Sequence, residues 1–202
     1  MRSSVQGIVA FFFMAAGLGT SVFAGPTVIY GGDFDLPIPS PDDPESEYGR
    51  GGMDDAVIEI SDHFTIYDLD VGITLTHTKV FDLQIFIESP AGTRLCLNMY
   101  NPLYEYFEGE DYIQTIFDDE AQVSIEEAEP PFTGRFRPRS PALLSVFDGQ
   151  DTFGQWKLKV NDVYYYDTGN LESFEVMVTI CEPGTATLLM LGAAFVALFK
   201  PR

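Results

Sequence analysis

Histidine, cysteine and basic side chains are all scarce in this 202-residue chain, and each shortage removes a class of function. Only His63 and His77 are present, and no serine-hydrolase signature surrounds either, so a Ser-His-Asp triad would have to be assembled from distant residues. The lone Gly-Thr-Ser, Gly19 to Ser21, falls in an N-terminal segment that reads as a targeting signal. The chain therefore reads as a non-enzyme. Eleven Lys and Arg stand against 31 Asp and Glu, for a formal net charge of −20. Arg2, Lys200 and Arg202 lie outside the acidic region Asp33 to Glu182, which carries 8 basic against 31 acidic side chains. Such a surface repels nucleic acid and anionic lipid headgroups, and it suits an extracellular setting or one with divalent cations at hand. Apolar runs are short: Gly7 to Leu18 has 12 residues and Gly184 to Phe199 has 16, both under the roughly 20 of an ordinary bilayer span.

The chain divides into four parts. Residues 1–24 have Arg2, an apolar run and small residues ending at Val22-Phe23-Ala24, the three-part pattern of a secretory signal with cleavage expected after Ala24. Residues 25–53 are rich in Pro, Gly and acid, which predicts an extended linker or a strand on the domain edge. Residues 54–181 carry short alternating runs at Ala56 to Ile60, Val71 to Thr76, Leu83 to Ile87, Gln155 to Val160 and Phe174 to Ile180. Period-two runs between Gly, Pro, Asp and Ser turns predict antiparallel strands with one buried face. Seven or eight such strands make an all-β, antiparallel two-sheet sandwich. Residues 182–202 form an apolar sorting or anchor segment with a basic end.

Within 54–181 the ordered marks resemble the P domain, or Homo B domain, that follows the catalytic domain of proprotein convertases and many bacterial subtilisin-type proteases. They are His77-Thr78, Asp82-Leu83-x-Ile85, Ser89-Pro90-x-Gly92-Thr93, Phe117-Asp118-Asp119-Glu120-Ala121 and Pro131-Phe132-Thr133-Gly134, then Leu144-Ser145-x-Phe147-x-Gly149, Gly154-x-Trp156-x-Leu158, Asp162 and Asp167-x-Gly169-x-Leu171. The resemblance implies a jelly-roll-like, galactose-binding-like sandwich with no catalytic machinery, serving as a stability or interaction module. It also implies a partner: an extracellular protein, a matrix polymer or a serine endopeptidase served in trans. The tail, Cys181-Glu182-Pro183, an apolar helix and Lys200-Pro201-Arg202, resembles a PEP-CTERM sorting signal, with Cys181 where the first proline stands and Lys-Pro-Arg in place of an arginine run. That resemblance implies an exosortase-like enzyme acting on Glu182, Pro183, Lys200 and Arg202, and a domain held outside the bacterial cytoplasmic membrane by a C-terminal helix.

Four groups of side chains are candidates for chemistry. Asp118, Asp119 and Asp162 are matching acidic positions in a family whose members are associated with Ca²⁺, so they are candidate ligands of a structural Ca²⁺. The competing reading has these aspartates hydrogen-bonding local backbone amides in turns. Arg135, Arg137 and Arg139 form the one basic cluster, able to dock an acidic partner or to pair with the domain's own acids. Cys96 and Cys181 could close a disulfide around a loop of about 85 residues, worth roughly 4 kcal/mol, or remain separate thiols. The tyrosines at 100, 104, 106 and 112 and the run Tyr164-Tyr165-Tyr166 serve either as packing or as a stacking surface for sugars.

Overall fold

The structure is a computed structural model, and it describes residues 8–10, 25–40, 51–100 and 108–180. Its elements are β1 (Ile8–Ala10), β2 (Thr27–Ile38), β3 (Gly51–Gly52), β4 (Ala56–Ile60), β5 (Ile66–His77), β6 (Leu83–Glu88), β7 (Arg94–Asn98), β8 (Tyr112–Phe117), β9 (Phe132–Phe136), β10 (Gly154–Asp162) and β11 (Gly169–Ile180). Among the described residues, three single 3₁₀ turns, Val80–Asp82, Ile125–Glu127 and Leu144–Phe147, interrupt the connections. One sheet runs β1-β2-β11-β5-β8-β9 and the other β3-β10-β6-β7, with β4 also on β10. Every pairing is antiparallel except β8 with β9, which is parallel.

The alternating runs become strands because one face of each is buried between the sheets. In β10, Trp156, Leu158, Val160 and Asp162 point inward while Gln155 is exposed and Lys157 and Lys159 are half-buried. Ile85 and Ile87 of β6 and Ile73, Leu75 and Val71 of β5 complete the facing layers. Trp156 anchors this core: it is fully buried, its Nε1 donates to the Thr152 carbonyl at 2.9 Å, and Phe147 packs edge-on at 5.4 Å. Large aromatic burial of this kind dominates the energetics of a small sandwich.

The segment 25–53 is where the sequence boundaries move. Of the two readings left open for it, Thr27–Ile38 takes the strand: β2 pairs along almost the whole of β11 and buries Val28, Tyr30 and Ile38. The acidic linker drawn to residue 53 thus contains a structural element of the domain. Ile8–Ala10, within the expected signal segment, lies antiparallel to the outer edge of β2. The rest of residues 1–24 lies outside the described residues.

Candidate functional site

β5 runs the length of the sandwich and its two ends carry different chemistry. Near its start, Asp68 and Asp70 meet the 118–120 segment, Arg135 of β9 and the 142–153 loop. Arg135 Nη1 reaches Asp70 Oδ2 at 2.7 Å and Asp118 Oδ2 at 2.6 Å. Asp118 Oδ1 accepts the Glu120 amide at 2.7 Å, and the two oxygens of Asp119 accept the Leu144 and Ser145 amides at 2.9 Å each. Asp119 thereby pins the 3₁₀ turn whose Leu144 and Phe147 are buried, while Leu143, Val146 and Phe153 of the same loop stay about half exposed. His63 stacks on Phe153 at 4.2 Å, and its Nδ1 meets Asp151 at 2.9 Å, which holds that carboxyl below its ordinary value. Burial lifts Asp70 to about 6 against the opposing pull of Arg135. Burial, reinforced by Asp68 and Asp118, lifts Glu120 to about 7.

At the other end of β5, His77, Asp82 and Asp162 are buried together beneath the 163–168 turn. His77 Nδ1 accepts the Lys79 amide at 3.1 Å, which leaves the ring proton for Nε2, 3.5 Å from Asp162 Oδ2. Neither of those two atoms has a hydrogen-bond partner, and neither does either oxygen of Asp82. Lys79 Nζ stands 3.8 Å from Asp82 Oδ2. A carboxylate removed from water without donors favours its protonated form, so burial pushes Asp82 up to about 6, with Lys79 pulling the other way. Asp162 Oδ1 accepts the Tyr164 amide at 2.9 Å and so starts the tyrosine turn.

This geometry separates the residues expected to share a cation. Asp118 sits by Asp70, Asp162 by His77, and seven residues of strand at about 3.3 Å each put them roughly 20 Å apart. Asp118, Asp119 and Asp162 therefore do not form one Ca²⁺ site. Each accepts one or two backbone amides instead, the turn-forming role weighed against it. Among the described residues no group of three or more His, Cys, Asp or Glu side chains is arranged to hold a metal.

The arginines also bond within the chain. Arg137 donates to the Ala121 and Gln122 carbonyls at 2.7 Å each, and Arg139 to the Met99 carbonyl at 2.7 Å, with Glu126 at 3.3 Å. Together with Arg135 on Asp70 and Asp118, each arginine of the cluster has partners within the chain, as the second of its two readings expects. Cys96 is half-buried, its thiol donating to the Asn98 carbonyl at 3.2 Å and pushed up by that burial. Cys181, Glu182, Pro183, Lys200 and Arg202 lie outside the described residues, as do Tyr104 and Tyr106. Among the described residues no helix is long and apolar enough to cross a membrane.

Sequence reasoning missed the His77–Asp82–Asp162 cluster as a unit. All three positions carry family marks, but 80 residues separate Asp82 from Asp162, and only the β10–β6 register, with Asp162 opposite Leu83, brings them together. A groove of about 440 Å³ runs beside β9, floored by Phe81, Ile125 and Phe132 and rimmed by Glu108, Glu129 and Arg139.

Two sheets of this order, with aspartate-pinned turns at both ends, define a jelly-roll-like sandwich. The proprotein convertase P-domain family matches residues 66–178, more than half of the chain, and the chain belongs to that family. The family is a non-catalytic accessory domain of serine proteases. Among solved structures, the chain is similar to the serine protease of Aeromonas sobria at 19% identity and a TM-score of 0.44, covering 76% of this chain and 27% of that one. The complex of Aeromonas sobria serine protease with its chaperone is similar at 18% identity and a TM-score of 0.45, covering 78% and 27%. This chain thus spans about a quarter of the length of either solved structure. No curated protein matches it.

Proposed function

We propose that this chain is an exported, non-catalytic P domain that docks on a partner protein through the Asp119 end, as an accessory module in a serine-endopeptidase system at the bacterial envelope. The observation that carries this reading is the 142–153 loop. Leu143, Val146 and Phe153 are 53%, 48% and 50% exposed, although the turn between them is fixed by Asp119 and by buried Leu144 and Phe147. Apolar side chains held rigidly in water on an otherwise charged surface are what a protein interface uses for its desolvated centre. Nearby Asp148, Asp151 and Asp68 give that centre an acidic rim, complementary to a basic one. Export follows from the signal-like residues 1–24, and envelope retention from the tail 182–202.

The test uses a purified subtilisin-type protease that lacks a P domain of its own. Adding the full-length protein should raise the protease's Tm and lengthen its active half-life, and the triple variant Leu143→Ser, Val146→Ser, Phe153→Ser should abolish both effects while its own Tm stays within a few degrees. Peptide cleavage by the purified chain alone, or protection that survives the triple substitution, would overturn the reading.

A further inference from the structure

The 163–168 turn holds more order than a connection between β10 and β11 requires. Val163 N–H donates to the Asp82 carbonyl at 3.1 Å, and Tyr164 N–H to Asp162 Oδ1 at 2.9 Å. The Thr78 hydroxyl donates to Asp167 at 2.7 Å, the Thr168 amide to Thr78 Oγ1 at 3.3 Å, and the Thr78 amide to the Thr168 carbonyl at 3.2 Å. Tyr166 N–H is held by Ser40 Oγ at 3.0 Å. The turn closes at Gly169, where a Cβ would run into the Thr76 carbonyl and the His77 ring. All of this fixes the backbone that carries two rings standing in water, for Tyr165 is 56% exposed and Tyr166 is 89% exposed.

Tyr166 also adopts φ +75°, a left-handed conformation that a bulky side chain rarely takes and that costs stability. Packing does not explain it, because the ring buries almost nothing. A strained, fixed and exposed aromatic residue is the mark of a surface kept for binding, since ordering in advance removes an entropic cost from association.

We propose that Tyr165 and Tyr166 form a rigid platform for a neutral, hydroxyl-rich polysaccharide. Their centroids lie 6.3 Å apart with the planes at 52°, and Tyr164 follows at 6.3 Å from Tyr165. The electron-rich face of a tyrosine attracts the C–H face of a sugar ring, while its hydroxyl and the neighbouring exposed Thr78 and half-buried Asp167 bond to the sugar's hydroxyls. The net charge of −20 works against any polyanion. A protein partner would need an apolar centre around the rings, and that feature belongs to the opposite end, at Leu143, Val146 and Phe153. This platform is independent of the docking role of the 142–153 loop.

The test is retention of the full-length protein on four insoluble neutral polysaccharides, cellulose, chitin, xylan and mannan, with heparin beads as the polyanion control. At least one of the four should retain it, with Tyr165→Ala and Tyr166→Ala each weakening retention tenfold or more and heparin retaining none. A second variant keeps structure and binding apart: Tyr166→Gly relieves the backbone strain, so its Tm should rise while retention is lost. Failure of all four polysaccharides, retention that survives loss of both rings, or a lower Tm for Tyr166→Gly would each overturn the platform.

Discussion

The two ends of the sandwich use the same local device and finish differently. At both, an aspartate carboxylate gathers backbone amides and fixes a turn: Asp119 on Leu144 and Ser145, Asp162 on Tyr164. At the Asp119 end the surrounding carboxylates find amides or Arg135, and the loop they hold presents Leu143, Val146 and Phe153. At the His77 end both oxygens of Asp82 and one of Asp162 are enclosed without a hydrogen-bond donor, and the turn that Asp162 holds through its other oxygen presents tyrosines. Four of the five buried side-chain atoms without a hydrogen-bond partner, among the described residues, belong to His77, Asp82 and Asp162; the fifth is Asp70 Oδ1. Similar turn chemistry thus serves an apolar face at one end and an exposed tyrosine face at the other.

The largest expected effect tests whether the ends are one cooperative unit. Trp156→Ala should lose about 3–5 kcal/mol in urea unfolding, from the cavity and the lost Thr152 bond. Tyrosine fluorescence and far-UV circular dichroism should report a single transition; separated transitions would mean that the ends fold independently. Asp119→Ala comes next, at about 1–3 kcal/mol, because the part-buried Leu144 amide and the exposed Ser145 amide lose their shared carboxylate acceptor. Hydrogen exchange should rise over 142–149 and stay unchanged over 163–168, and a uniform rise would erase the contrast drawn here.

The smallest effect is the titration of the His77 end. Asp82 holds its proton up to about pH 6 when folded and to about 3.8 when unfolded, so the stability it contributes is complete below pH 4 and lost as pH rises through 6. Asp70, also lifted to about 6, acts in the same direction. The Tm should therefore increase from pH 8 to pH 5, unlike a protein whose carboxylates are held down by ion pairs. Asp82→Asn should gain about 1–2 kcal/mol at pH 8, gain little at pH 4 and flatten the profile. A variant equally destabilised at both pH values would show that Asp82 works as an ionised partner of Lys79.

Much of the fold was legible because alternation is a local property. Trp156, Leu158 and Val160 on one side and Gln155, Lys157 and Lys159 on the other declare a half-buried strand without reference to the rest of the chain. β2 was harder to read, since Gly31, Gly32, Asp33, Asp35 and Pro37 carry a linker's composition, and its strand depends on β11 as a template. The parallel β8–β9 pair was likewise invisible, because β9 is only Phe132–Phe136 and its direction is set by the loop that precedes it. For the aspartates, the residue type announced turns, while the choice between a shared cation and separate amides awaited the register of β5.

By itself, the order of residues determined an acidic all-β sandwich with a signal-like start, because hydrophobic period, turn residues and charge act over a few neighbours at a time. Tertiary structure alone decided which carboxylates meet a donor, that three arginines bond inward, and that two tyrosines stand in water on a strained turn. Those outcomes depend on contacts between segments dozens of residues apart, where burial and strand register set the energy of a charge or a ring, and no local pattern encodes them.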